Sequence, residues 1–295
     1  MQEEPDTWCA KYYHAGTYPT AETPLWGIRS SVWSGIVASE VVPLKGDQPL
    51  DGLWRLHYQT LVKKMERLSL SRFDVDSQED MKRRIAIMCQ RNHYPQSSLA
   101  HIIVWREGDN LSGKADYAIF QQKLPHPAFA DDGTKRIILD ATAEQTISLT
   151  AGPWADIATE AAARRKTAEL AKEKNLPYAG MALIRPDGRV ARTTLGNIYV
   201  THGRKITTVK EGEGAIACAL QPFLKTAIEE INSQNDPRLA ITLEEVDGLD
   251  NTLLTTASGC FVLDNAVGLA PILRFRTTYG NELARTLAEK FRELF

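Results

Sequence analysis

The sequence predicts an α+β fold in two lobes. Three observations predict it. Short apolar segments of strand length follow one another through Gly-, Asp- and Asn-containing turns, the mark of hairpins. Helical patterns interrupt these segments irregularly instead of following every strand, which argues against a parallel βαβ wheel. The stretch Leu124-Pro125-His126-Pro127 stiffens the chain and removes ladder donors, so it reads as a connection between a small lobe, residues 1–124, and a larger one, 125–295.

Trp33 to Val42 is β-rich and ends in the turn-like Pro43-Leu44-Lys45-Gly46. From Leu50 to Leu68, Leu53, Leu56, Leu61, Met65 and Leu68 recur at helical spacing. A second helix starts after Ser77, with Asp80 three residues on as in a loose capping box. Leu99–Trp105 and Ala115–Gln121 read as two strands of a hairpin. In the larger lobe Arg136–Asp140 reads as a strand and Asp156–Lys174 as an alanine-rich helix. Gly180–Ile184, Arg189–Thr194 and Asn197–Val200 read as strands, with Pro186-Asp187-Gly188 and His202-Gly203 as turns. A helix is expected from about Ala217 to Ile231. Strands are expected at Leu253–Thr256, Phe261–Asp264 and Leu269–Phe275, with Pro271 demoting the last to a sheet edge or marking a strand start. Asn281 is expected to cap a final helix ending near Leu294.

Composition narrows the function. Of 295 residues, 35 are Lys or Arg and 37 Asp or Glu, a net charge of −2 with 43% hydrophobic residues. That balance fits a folded chain and lacks the basic stripe of a nucleic-acid groove. No apolar run is long enough to cross a membrane, and the acidic start Met1-Gln2-Glu3-Glu4 is unlike a signal peptide. Cys9, Cys89, Cys218 and Cys260 are scattered, with no CxxC pair, so reduced thiols and a cytoplasmic location are expected. No HExxH, P-loop or GxGxxG stands in the chain, and no metal is expected.

One stretch carries a resemblance. Asp187-Gly188-Arg189-Val190-Ala191-Arg192, then Asn197-Ile198-Tyr199-Val200 and Gly203, resembles the "DG-x-V-x-E … N-[IV]-F-x-V-x-x-G" pattern of the class IV aminotransferases, one residue short between the asparagine and the last glycine. Thr255-Thr256-Ala257-Ser258-Gly259 resembles that family's small-residue loop near the cofactor phosphate. Leu53 to Leu68 resembles its first helix. The family includes branched-chain and D-amino-acid aminotransferases and aminodeoxychorismate lyase. The resemblance implies a two-lobed fold of this class, a homodimer and an amino-acid-like substrate.

The family's cofactor, pyridoxal phosphate, needs a Schiff-base lysine, a carboxylate on the pyridine nitrogen and a Gly-Ile-Thr-Arg turn for the phosphate. At the matching positions stand Ala158 (or Ile157), Arg192 and Cys218-Ala219-Leu220-Gln221. A cation cannot stabilise a pyridinium, because like charges repel. No cofactor is therefore expected, with pyridoxal phosphate the alternative.

General acid–base groups would take over. Period two puts His101, Trp105 and Glu107 on one strand face, and a carboxylate beside an indole suits proton transfer. Glu107 and His101 are the candidate catalytic residues. Arg72, near the family's phosphate-binding arginine, and Arg192 are candidates for a substrate carboxylate, since a guanidinium grips it with two hydrogen bonds. Trp105, Thr194, Asn197, Thr256 and Ser258 complete the candidate binding set, the hydroxyl-rich segments being ones the family brings together. The chain's length and aromatic residues suit the chemistry of the McbB-like Pictet–Spengler enzymes, which condense tryptophan with an aldehyde to a β-carboline without pyridoxal phosphate. The alternatives are a divergent pyridoxal-phosphate aminotransferase or lyase, and a non-catalytic metabolite-binding relative.

Overall fold

The computed structural model describes residues 9, 11–19, 37–50, 52–93, 98–106, 114–123, 137–146, 169, 179–234, 236–265 and 268–292. The chain divides into two compact units, Met1–Ala128 and Phe129–Leu294. The proline stretch expected at the division lies outside the described residues, as does nearly all of the helix expected at Asp156–Lys174, of which Glu169 alone is described, as helical.

The first unit holds β1 (Tyr13–His14), β2 (Val37–Lys45), β3 (Gln48–Pro49), α1 (Trp54–Arg67), α2 (Gln78–Arg91), β4 (Ser98–Arg106) and β5 (Ala115–Lys123). Its sheet is antiparallel in the order β1-β5-β4-β2-β3. The β4–β5 hairpin forms as expected, with Arg106 opposite Ala115 and Ser98 opposite Lys123. Helix α1 buries Trp54, His57, Leu61 and Met65, a stripe three to four residues apart. Ser77 accepts a hydrogen bond from the Asp80 amide and starts α2, as the capping pattern predicts. Val42, Leu44, Ile102, Val104, Tyr117 and Ile119 of the sheet close over Leu61, Met65, Met81, Ile85 and Met88. Each large apolar side chain buried there contributes about 1.5–3 kcal/mol.

This core also contains charge. Glu40 of β2 and His57 of α1 are fully buried, with Glu40 Oε1 2.8 Å from His57 Nδ1. Lys64 Nζ donates to Glu40 Oε2 at 2.6 Å and to the Ser39 carbonyl at 2.9 Å. The glutamate thus ties β2 to two turns of α1.

The second unit holds β6 (Ile137–Thr146), β7 (Ala179–Ile184), β8 (Val190–Thr193), β9 (Asn197–His202), β10 (Lys205–Val209), α3 (Leu220–Ser233), β11 (Thr242–Val246), α4 (Asn251–Thr256), β12 (Gly259–Asp264), β13 (Gly268–Phe275), β14 (Thr277–Thr278) and α5 (Glu282–Arg292). The sheet runs β11-β10-β9-β12-β13-β6-β7-β8, with β14 beside β13. The β10–β11, β13–β6 and β6–β7 pairs are parallel and the others antiparallel. Val190 at the start of β8 exchanges both backbone hydrogen bonds with Leu249, just past β11, so the two ends of this order return to each other.

Three expectations are corrected here. Leu253–Thr256 belongs to helix α4, not to a strand. Asp250 caps Leu253 at 2.8 Å, and the hydroxyls of Thr255 and Thr256 donate back to the carbonyls of Asn251 and Thr252, which overrides the β preference of threonine. Pro271 sits in an interior strand, because β13 lies between β12 and β6. The β6 ladder begins only at Ile272 and does not need the proline's missing N–H. Asn281 stands at the head of α5, but its amide accepts from Cys260 N at 2.7 Å and donates to Ile272 O at 2.6 Å, bridging two strands instead of capping. Strands β10 and β11 were not expected. The side chains of β11 are half or fully exposed, so no alternating apolar pattern marks it.

All four cysteines are buried thiols. Burial pushes Cys89 up to about 12 and raises Cys260 as well, because it disfavours the thiolate. The native protein should therefore react slowly with a disulfide reagent even at alkaline pH, and fast in urea. Fast native labelling would contradict this packing. Glu40→Ala should cost about 3 kcal/mol, since it strands the buried His57 without its partner. Urea unfolding followed by tryptophan fluorescence measures this, and an unchanged midpoint would remove the cluster's structural role.

Candidate functional site

In the second unit the resemblance stretch forms a hairpin that grips one loop. Asp187 Oδ1 accepts from the amide two residues on, Arg189 N, and Gly188 takes a φ of +83°, so Asp-Gly makes the turn into β8. The guanidinium of Arg189, with Arg185 behind it, holds the Asp187 carboxyl below the usual carboxylate range. All four residues of β8 are buried. At its end Thr193 Oγ1 donates to Gly196 O and accepts from the Leu195 and Gly196 amides, closing a tight turn. Gly196 is required there. A Cβ would stand 2.6 Å from the Leu263 carbonyl oxygen, at a φ of +154°.

From this hairpin Arg192 and Asn197 reach the loop before α3. Arg192 is 4% exposed, and its Nη1 donates to Gly214 O at 2.8 Å. Asn197 Nδ2 donates to Ile216 O at 2.7 Å, while its Oδ1 accepts from Ile216 N at 2.9 Å. Asn265, just past β12, accepts from the Ala219 amide at 3.0 Å and from the Cys218 thiol at 3.1 Å. One donor at the N-terminus of α3 is thereby used inside the protein. Thr194 joins the hairpin to β7, with its Oγ1 accepting from Met181 N at 3.1 Å.

The expectation that the two hydroxyl clusters meet is corrected. Asn197 pairs with Leu263 at one end of the β9–β12 ladder and Thr201 with Gly259 at the other. Four residue steps along the strand separate the ends, about 13 Å. Thr256 bonds His202 Nε2 at 3.1 Å, and Ser258 Oγ donates to Thr201 O at 2.9 Å, both at the far end. Ser258 lines a separate cleft of about 860 Å³ with Arg204, Ile241, Leu283 and Arg285.

In the first unit the sheet face turned away from α1 and α2 carries the predicted strand residues. His101 Nε2 lies 2.8 Å from Gln122 Oε1, and Trp105 is buried in a cluster with Tyr12 and Ala118. Val37, Ile103 and Phe120 are half-buried against that cluster. Glu107 and Ala158 lie outside the described residues, and Arg72 is an exposed residue of a short 3-10 turn, Arg72–Asp74.

Two residues on this face were missed. His14 Nε2 lies 2.7 Å from Asp116 Oδ2, and both side chains are about a quarter exposed. The His14 ring stacks on Trp105 with centroids 5.6 Å apart. Asp116 Oδ1 accepts from the Tyr117 amide at 2.7 Å, which fixes the carboxylate. The two residues stand 102 positions apart, so no spacing could have paired them. Asn265 was missed likewise, since only the fold brings it to α3.

Asn265→Ala should remove the bond to Ala219 and cost about 1–2 kcal/mol. Faster hydrogen exchange at the Ala219 amide is the local signature, and unaltered exchange would deny the contact its role.

No protein-family pattern and no curated protein matches the sequence. Solved structures match the fold over nearly the whole chain. The branched-chain aminotransferase of Thermoproteus uzoniensis, solved with norvaline, aligns at a TM-score of 0.71 and 14% identity over 97% of this chain and 94% of that one. The 4-amino-4-deoxychorismate lyase of Pseudomonas aeruginosa aligns at 0.70 and 16% identity, over 96% and 98%. An aminotransferase from Brucella abortus bound to PLP aligns at 0.69 and 17% identity, over 96% and 99%. This protein has the class IV aminotransferase fold.

Proposed function

We propose that this chain is an enzyme that works without pyridoxal phosphate, by general acid–base catalysis on an amino-acid-like substrate. The observation that carries this reading is the setting of Arg192. It stands where the resemblance implies an acid for the pyridine nitrogen, it is buried, and a backbone carbonyl holds it. A fixed cation there repels a pyridinium and favours an anion such as a substrate carboxylate. The residues around it do not fit the cofactor in other respects. The Ala219 amide, where a phosphate would look for donors, already serves Asn265. Among the described residues of this unit, Lys205, Lys210, Lys225 and Lys290 each pair with a surface carboxylate. The sequence offers Ala158 at the lysine position.

The finer reading is a Pictet–Spengler condensation of tryptophan with an aldehyde to the β-carboline skeleton at its tetrahydro oxidation level, which needs no oxidant, with Glu107 or another acid–base group on the aromatic strand face moving the proton. A homodimer in the cytoplasm accompanies that reading. Among the described residues no helix is long and apolar enough to cross a membrane. The competing reading is a divergent pyridoxal-phosphate enzyme, favoured by the shared fold and by the PLP bound in the Brucella relative.

The purified protein should be colourless, unchanged by borohydride, and no more heat-stable with added pyridoxal phosphate. Tryptophan should raise its melting temperature by a few degrees, and Arg192→Glu should abolish that rise. Yellow protein bleached by borohydride would overturn the cofactor-free reading. Glu107→Gln should lower condensation of tryptophan with an aldehyde, and unchanged turnover would remove Glu107 as the base.

A further inference from the structure

The His14–Asp116 pair has the form of an acid–base dyad. A carboxylate fixed by its neighbour's amide holds one ring nitrogen of a histidine, and the ring stacks on an indole at an interplanar angle of 26°. In the neutral ring Asp116 accepts from Nε2–H, and Nδ1 is then the nitrogen that carries a lone pair. Among the described residues no hydrogen-bond partner holds Nδ1. The stacking fixes the plane of the ring, and the 2.7 Å contact fixes its rotation. A surface ion pair needs neither restraint. The surroundings are also selective. The same face presents half-buried Val37, Ile103 and Phe120, an apolar strip beside a polar head. The register places Trp105 opposite Asp116 and Ile103 opposite Ala118, so strip and dyad occupy successive rungs of one ladder.

We infer that His14, oriented by Asp116, is a proton-transfer site for an amine or amino acid with an aromatic or apolar body. This rests on the cofactor-free reading above and names a base that sequence could not supply. His14 Nδ1 takes one proton from the substrate's ammonium group: that N–H bond breaks, its pair stays on nitrogen as the amine lone pair, and a new N–H bond forms on the imidazole. Nε2–H stays shared with Asp116, whose charge stabilises the imidazolium. The proton then leaves to solvent, so the step needs no oxidant or other co-reactant. The substrate's apolar body covers Ile103 and Phe120 while this happens.

The test separates binding from turnover. L-Tryptophan is titrated into wild-type protein while the histidine ring protons are followed by NMR, with the His14 signal assigned from His14→Gln. Condensation of tryptophan with acetaldehyde is followed by mass spectrometry in wild type, His14→Gln and Asp116→Asn. We expect the His14 signal to move on tryptophan addition. His14→Gln should lower turnover about a hundredfold or more, with tryptophan affinity within about threefold and the melting temperature kept. Asp116→Asn, which preserves shape, should lower turnover with an unchanged KM. Imidazole added to His14→Ala should restore part of the rate, which a merely structural histidine would not allow. A tryptophan response that spares His14, or turnover unchanged in His14→Gln, overturns this assignment alone. No tryptophan response anywhere in the wild type overturns both the assignment and the reading beneath it.

Discussion

The side-chain amide of Asn197 holds the second unit's candidate site together. Its oxygen takes the Ile216 N–H and its nitrogen serves the Ile216 carbonyl, so one residue at the start of β9 satisfies both backbone groups of a loop residue. A loop has no ladder of its own, and its polar groups cost free energy wherever they are buried without partners. The Asn197 bonds, with Arg192 on Gly214 and Asn265 on Ala219, supply those partners. They therefore decide where α3 begins. Gly196 permits the arrangement, because any side chain there would strike the Leu263 carbonyl and push β9 away from β12.

The first unit uses its sheet twice. One face is closed under two helices and carries Glu40, His57 and Lys64 as an internal tie. The other face bears a thinner apolar cluster around Trp105, with His14 and Asp116 at its border. Burial separates the two charged groupings. In the first, desolvation makes the partners mutually indispensable and the cluster structural. In the second, about a quarter of each side chain meets solvent, so neither partner carries the full cost of desolvation.

Much of the fold was legible because apolar periodicity reports burial directly. The β4–β5 hairpin, the stripes of α1 and α2, and the strands flanking Asp187-Gly188 all follow from it. Legibility failed where local and tertiary preferences diverge. Leu253–Thr256 has strand-forming residues but a cap at Asp250 and hydroxyls that bond back along a helix. Pro271 suggests an edge, yet its neighbour's ladder starts one residue later. The exposed edge strand β11 carries too little apolar pattern to be seen at all.

For the site, the sequence by itself determined which residue types stand where the resemblance implies motif positions: Arg192 where it implies an acid, Asn197 where it implies an asparagine, and Ala158 (or Ile157) where it implies a lysine. Those identities are local and survive without coordinates. Tertiary structure alone decided their company. It buried Arg192 against Gly214, closed the head of α3 with Asn265, set Asn197 at one end of the β9–β12 ladder and Thr201, with its partner Ser258, at the other, and brought His14 to Asp116 across 102 residues. Such pairings depend on sheet register, and register is set by every strand at once.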